Sequence, residues 1–283
     1  MTTIPAPDPT QDADSARPPD APLPDGHRLD GHRLDGRCAL VTGGGHGLGR
    51  AIAAALIGVG ARVIATGRDP ARLAEATAAV PGLLTEVCDQ SDPAAVAALR
   101  DRLAAEEISI LINNAGVPGP VKPLTEVEPA EWDEVFAVNV RGVYLMCRAF
   151  LPPMTARGRG DLINLASVTG KRPLTRRTPY TASKMAVLGL TRTLAFEAGP
   201  LGVSVNSLSP GPVRGPRMER NFRLEAAATG TSEAAAEKAF VARSALLRLV
   251  EQDEVAAAVL AMLRMPGLCG ADIDLSAGMI APA

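Results

Sequence analysis

The stretch "CALVTGGGHGLGR", Cys38–Arg50, decides the fold. It begins as a short apolar run and ends by opening a segment of helical period, with five glycines in between. A strand that turns into a helix through glycines lets the backbone approach a phosphate closely. The helix amino terminus then offers free N–H groups and positive potential. The spacing is Gly43-x-x-x-Gly47-x-Gly49, not the general G-x-G-x-x-G, so the reading rests on its place after the first strand. It predicts a dinucleotide seat built from Gly43, Gly45, His46, Gly47, Leu48 and Gly49.

Outward from this loop the pattern alternates. Apolar or β-branched runs recur at 38–43, 61–67, 82–87, 109–116, 161–167, 203–210 and 271–276. Segments of helical period lie between them at 48–58, 70–80, 93–105, 127–151, 178–198 and 251–264. Continuous apolar strands alternating with helices predict an α/β fold, a doubly wound, Rossmann-like parallel sheet covered on both faces. Ligands of such sheets sit outside the carboxyl ends of the strands.

The chain of 283 residues, 47% hydrophobic, suffices for one large domain, predicted from Arg37 to 283. Residues 1–36 read as a disordered leader: Pro, Asp and Ala dominate its first part, and "DGHRLDGHRLDG" (25–36) repeats five residues in tandem. A formal charge of −2 without basic-aromatic clusters argues against nucleic acid as a partner. No apolar run approaching a membrane span is expected, and the first residues lack a signal-peptide pattern. Cys38, Cys88, Cys147 and Cys269 are scattered and read as buried thiols of a reducing, cytoplasmic setting. With His27 and His32 in the leader, His46 alone would have to serve a histidine hydrolase or metal site, so no metal is expected.

The second strand ends in "TGRDP" (66–70). An NAD site places an acid here for the ribose 2′-hydroxyl. Gly67 and Arg68 occupy that place, while Asp69 before Pro70 reads as a helix N-cap. Arg68 can therefore meet a 2′-phosphate, which favours NADP, with NAD as the alternative.

"YTASK", Tyr180–Lys184, puts one of only two tyrosines a single helical turn from a lysine. An ammonium beside a phenol lowers its pKa and suits it to proton exchange with a substrate hydroxyl. Alone, such a pair reads as a solvated surface contact. In company it is more. "TGGGHGLG" (42–49), "NNAG" (113–116), "VNV" (138–140), Ser167 thirteen residues before Tyr180, "YTASK" and "SPGPV" (209–213) follow one another. From about Arg37 to its end the chain thus resembles the short-chain dehydrogenase/reductase family.

That resemblance implies NAD(P)-dependent hydride transfer between the cofactor and a secondary alcohol or ketone. Tyr180 would be the general acid/base, Lys184 its activator and a ribose ligand, and Ser167 the partner of the substrate oxygen. Asn139 would position a water that links Lys184 to solvent. Asp89 would contact the adenine, Asn114 would steady the cofactor, and Ser209–Val213, with Pro210, Gly211 and Val213, would lie against the nicotinamide. Relatives pair helices like 127–151 and 178–198 between subunits, so a homodimer or homotetramer is implied, with Val140, Val143, Leu145, Leu188 and Leu190 as surplus apolar residues. Near the carboxyl end the family often shows Asp-Gly-Gly, where this chain has Ser276, Ala277 and Gly278.

Arg214 to about Leu249 reads as a helical substrate lid, two short helices split by "TGTS" with Thr231 or Ser232 as cap. Arg172, Arg176, Arg177, Arg214 and Arg217 near the mouth suggest an anionic small-molecule substrate, against the plain reading of solvated loop arginines. Two other classes compete. A silent dinucleotide-binding regulator would be expected to lack Tyr180 or Lys184, and an epimerase or dehydratase of the extended relatives needs a longer carboxyl-terminal domain.

Overall fold

The computed structural model describes residues 34–172 and 174–279. Most of the leader, including His27 and His32, lies outside them. Leu34 is buried, and its N–H donates to the Val59 carbonyl at 2.6 Å, so the packed chain reaches three residues upstream of Arg37.

Seven parallel strands form one sheet in the order β3-β2-β1-β4-β5-β6-β7. They are β1 (Cys38–Thr42), β2 (Arg62–Gly67), β3 (Leu84–Val87), β4 (Ile108–Asn113), β5 (Gly160–Leu165), β6 (Val203–Pro210) and β7 (Asp272–Leu275). Strand order reverses between β1 and β4, which opens a crevice at their carboxyl ends. Alternate side chains serve opposite faces. Val41, Ile110 and Ile112 pack with α1 (Gly47–Gly58) and α9 (Gln252–Met262), while Leu40, Leu111 and Leu162 pack with the helices opposite.

Asp69 caps α2 (Pro70–Ala79), accepting from the N–H groups of Ala71 and Arg72, as its place before Pro70 predicts. Asp92 caps α3 (Pro93–Arg102) in the same way. The helix expected over 127–151 is three pieces: α4 (Pro129–Phe136), a π-helical turn Ala137–Arg141, and α5 (Gly142–Ala156). It also runs through Pro152 and Pro153 instead of ending before them. Met154, fully buried against Gly160, holds that last turn down, so tertiary packing overrides the proline signal. This run, Pro129–Ala156, has the length and mean hydropathy (1.2) of a membrane span, contrary to expectation, yet half of it is buried in the core.

Helix α6 (Thr178–Ala198) carries the Tyr-Lys pair. Beyond β6, α7 (Pro216–Thr229) and α8 (Glu233–Val241) form the two helices expected there, the second capped by Ser232. They share a small core of Met218, Phe222, Ala226, Ala236 and Leu249, separate from the two sheet faces. Phe222 and Phe240 meet edge to face at 5.9 Å. Val143, Leu145 and Leu188 are buried in the main core, so they do not form the outward apolar face expected of them. The exposed apolar side chains of α5 and α6 are instead Tyr144, Met185 and Phe196. Cys38, Cys88 and Cys147 are buried, but Cys269 is exposed.

The end of β7 packs against the turn that follows α8. Ala277 takes a left-handed φ of 54°, its carbonyl accepts from Leu246 N–H, and a Cβ on Gly278 would meet the Ala245 Cβ at 2.5 Å.

Candidate active site

The loop after β1 is shaped by contacts that only glycine permits. Gly43 has φ 67°, and a Cβ there would lie 2.9 Å from the Ala115 Cα. At Gly49 a Cβ would stand 2.3 Å from the Gly43 carbonyl oxygen and 2.5 Å from Asn114 Nδ2. Around Gly47, by contrast, nothing approaches within 4 Å of that point. His46, the N-cap of α1, provides no side-chain cap, and no acid stands in the first turn. The helix N–H groups therefore face an open, uncapped space, which is what a pyrophosphate requires. The residues present fit a dinucleotide.

Thr42, not singled out in the sequence, fixes this loop to β4. Its Oγ1 accepts from the N–H groups of Asn114 (3.1 Å) and Ala115 (3.0 Å). Asn114 Nδ2 donates to the carbonyls of Thr42 (2.9 Å) and Gly43 (3.3 Å), so this amide steadies the loop.

At the end of β2, Arg68 is exposed and lies 3.8 Å from an oxygen of Asp89, with which it shares its charge. Asp89 Oδ1 accepts from Ser91 N–H and Oγ. Burial and the charges of Arg72 and Arg50 hold His46 below the usual imidazole range, so it is neutral at pH 7. Arg72, unforeseen, donates to His46 Nε2 at 3.2 Å. Arg68 precedes α2, so no helical spacing linked it to Arg72 in sequence.

The catalytic candidates converge at the ends of β4 and β5. Lys184 is buried, and its Nζ donates to the Leu165 carbonyl at 2.6 Å while lying 5.8 Å from the centre of the Tyr180 ring. Burial and Arg217 lower the lysine pKa, and the phenol opposes them. Burial also pushes Tyr180 up. The charges of Arg217 and Lys184, with hydrogen bonding from Ser167 and Arg217, outweigh it and bring the phenol down to about 8. Ser167, just past β5, is buried and its Oγ accepts from Thr169 N–H at 3.2 Å.

Asn139 sits in the π-helical turn and is fully buried. Such a turn inserts an extra residue and so re-aims side chains. Its Nδ2 reaches Ser183 Oγ (3.0 Å) on α6, and its Oδ1 and Lys184 Nζ both face Gly116. Gln90, also missed, braces this turn by donating to the Val138 carbonyl at 2.9 Å. A chain of buried amides holds α6 to the sheet: Asn113 donates to Asn164, and Asn164 to Thr191, both at 2.9 Å.

Pro210 ends β6. Gly211 bonds the Leu275 carbonyl at 2.8 Å, and a Cβ on it would stand 2.8 Å from the Ser276 Cα. Val213 bridges to Val250. The glycine loop, Ser167 and the Pro210–Val213 loop thus all follow the carboxyl ends of strands on one edge of the sheet.

A family model described as short chain dehydrogenase matches residues 37–227. D-threitol dehydrogenase of Mycolicibacterium smegmatis is 42% identical over 181 residues, 62% of this chain and 69% of its own. NAD+-bound xylitol dehydrogenase superposes with a TM-score of 0.82 at 26% identity, covering 87% of this chain and 99% of that one. An NADP-bound protein of Agrobacterium tumefaciens, provisionally named 2-deoxy-D-gluconate 3-dehydrogenase, gives 0.78 at 30% identity, covering 88% and 98%. The chain belongs to the short-chain dehydrogenase/reductase family, and it is an oxidoreductase that uses a nicotinamide cofactor.

Proposed function

We propose that this enzyme interconverts a secondary alcohol and its ketone with NADP, and that Tyr180 exchanges the proton. The observation that carries this is the Tyr180 ring set between two cations, Lys184 Nζ at 5.8 Å and the Arg217 guanidinium at 5.1 Å from its centre, which bring the phenol down to about 8. A phenol near working pH gives up and takes back a proton with little cost in either direction. In reduction Tyr180 donates to the developing alkoxide; in oxidation it accepts the alcohol proton. Ser167 hydrogen-bonds the same oxygen and stabilises its negative charge. Lys184 holds the phenol acidic, and Asn139 orders a water in the space beside Gly116 that renews the proton from solvent. Bound nicotinamide supplies or accepts the hydride.

The glycine loop would seat the pyrophosphate, Asp89 the adenine and Pro210–Val213 the nicotinamide. Arg68, exposed at the end of β2 and only 3.8 Å from Asp89, supports NADP over NAD, and Arg72, paired with Asp69 at 3.3 Å, stands one loop away as a second cation. Fluorescence titration of NADPH and NADH, with Arg68→Ala alongside, tests this preference. The separate small core of α7 and α8 supports a lid over the site. Outward Tyr144, Met185 and Phe196 support a homodimer or homotetramer, which light scattering checks. Three buried, unpaired cysteines support a cytoplasmic location. Tyr180→Phe decides the chemistry: turnover is lost while NADPH still binds.

A further inference from the structure

Five arginines were expected at the mouth, and the structure sorts them. Arg214 pairs with Glu251 at 3.0 Å and Glu237 at 3.4 Å. Arg172 donates to the carbonyls of Arg243 and Met279, and Arg176 reaches the Val121 carbonyl at 3.5 Å. Those three are held by groups of the fold away from the phenol. Arg217 and Arg177 differ in lying beside Tyr180.

Arg217 follows Pro216 at the start of α7 and is exposed. Its guanidinium carbon stands 5.1 Å from the centre of the Tyr180 ring. Arg177, three residues before Tyr180, is only 7% exposed, which is rare for a guanidinium without an acid partner. It donates to Asn221 Oδ1 at 2.7 Å and to the Pro118 carbonyl at 3.5 Å, both neutral. Among the described residues neither arginine forms an ion pair. Burial and then Arg217 disfavour the charge on Arg177, and Arg220 adds to this; the Tyr180 phenol and, less strongly, Glu225 offset it only in part. Two guanidinium groups beside the reacting phenol, one of them buried, leave a concentration of positive charge that an anion would relieve. A bound anionic group would supply what the phenol and Glu225 do not. The planar forks suit a carboxylate, which they can grip through two parallel hydrogen bonds.

We infer that the substrate carries a carboxylate next to its reacting carbon, as in an α- or β-oxo acid or the matching hydroxy acid, and that Arg217, backed by Arg177, holds it beside Tyr180. The closeness of Arg217 to the phenol sets this spacing: a substrate whose oxygen meets Tyr180 can reach that guanidinium only with a nearby carboxylate. The inference rests on Tyr180 meeting the substrate oxygen.

Calorimetric titration of the enzyme–NADP complex with oxalate and malonate tests it without turnover, with uncharged diacetyl as control. The dianions are expected to bind, and Arg217→Met to weaken that binding at least tenfold. Because Arg217 is exposed, the variant should fold, which its circular dichroism checks. With acetoacetate and its methyl ester as substrates, the ratio of their kcat/KM values should fall at least tenfold in Arg217→Met. No dianion binding by the wild type, or binding untouched by the substitution, overturns the inference. So does a loss of NADP affinity in Arg217→Met, which would assign the arginine to the cofactor. The underlying functional reading fails separately, if Tyr180→Phe keeps turnover, whatever the dianions do.

Discussion

The carboxamide of Asn139 grips both backbone polar groups of Val117: Oδ1 accepts from its N–H at 2.8 Å and Nδ2 donates to its carbonyl at 3.0 Å. This pairing ties the π-helical turn to the segment that follows β4, against which Lys184 lies. One side chain therefore fixes the wall of the site while presenting the same oxygen toward Gly116.

Asn139→Ala should leave both Val117 groups without partners. An unmet group costs about 1–3 kcal/mol when fully buried and less at half-buried Val117, so stability should fall by about 1–2 kcal/mol. Turnover should fall at least tenfold, with NADPH affinity changed much less. Asn139→Asp keeps the acceptor for Val117 N–H and loses the donor to its carbonyl and to Ser183, so its stability should lie between the two. Thermal melts and single-turnover rates check both.

The titration of Tyr180 sets the pH profile. Below about 8 the phenol is protonated and competent to reduce a ketone, so kcat/KM for reduction should be level there and decline above it. For oxidation the phenolate is the competent form, so the rate should climb through the same region. Lys184→Met removes one cation, which raises the phenol pKa; both limbs should move to higher pH, and activity should drop about 10²–10⁴-fold. A profile in which the oxidation limb stays where it was would contradict the role given to the lysine.

The central strands were legible in sequence because a parallel strand buried on both faces is a nearly unbroken apolar run. The half-exposed edge strands β3 and β7 were placed by the alternation of strands and helices and by the turn residues around them. The ordered motifs likewise singled out Ser167, Tyr180, Lys184 and Asn139 as candidates, which the fold gathers at the ends of β4 and β5. Three things were hidden. The π-helical turn adds a residue to its helix, which rotates the following face by about 100°, so Val143 and Leu145 read as outward but pack inward. Leu188 misled for another reason, because α6 packs on the sheet and on α4 at once. Arg72 and Arg217 carry no sequence signal that separates them from other arginines, and only the tertiary arrangement aims one at His46 and the other at Tyr180.

Far from the site, Arg37 and Asp161 form a buried ion pair at 2.7 Å between the start of the domain and β5. Arg37 also donates to Ser109 Oγ at 3.2 Å and to the Ser109 carbonyl at 2.7 Å. Removing one partner leaves the other charge stranded in the interior. Asp161→Ala should therefore cost about 3–5 kcal/mol and lower Tm by about 10 °C. The double variant Arg37→Met, Asp161→Leu should recover part of that loss, because no uncompensated charge remains. Denaturant titration of the three proteins measures it.

The glycine loop offers a test that separates folding from binding. At Gly49 an added methyl would press on the Gly43 carbonyl and on Asn114 Nδ2, both parts of the seat itself. Gly49→Ala should destabilise by about 1–3 kcal/mol through overpacking and should weaken NADPH at least tenfold, because the loop must move outward into the space a pyrophosphate needs. Gly47→Ala meets no neighbour, so its overpacking cost should be small. Its φ of 53° still strains any side chain by about 1–2 kcal/mol, and the methyl would project into open space. If that space is the cofactor's, Gly47→Ala should lose more affinity for NADPH than its loss of stability explains, a comparison that fluorescence titration and thermal melts of the same samples make directly.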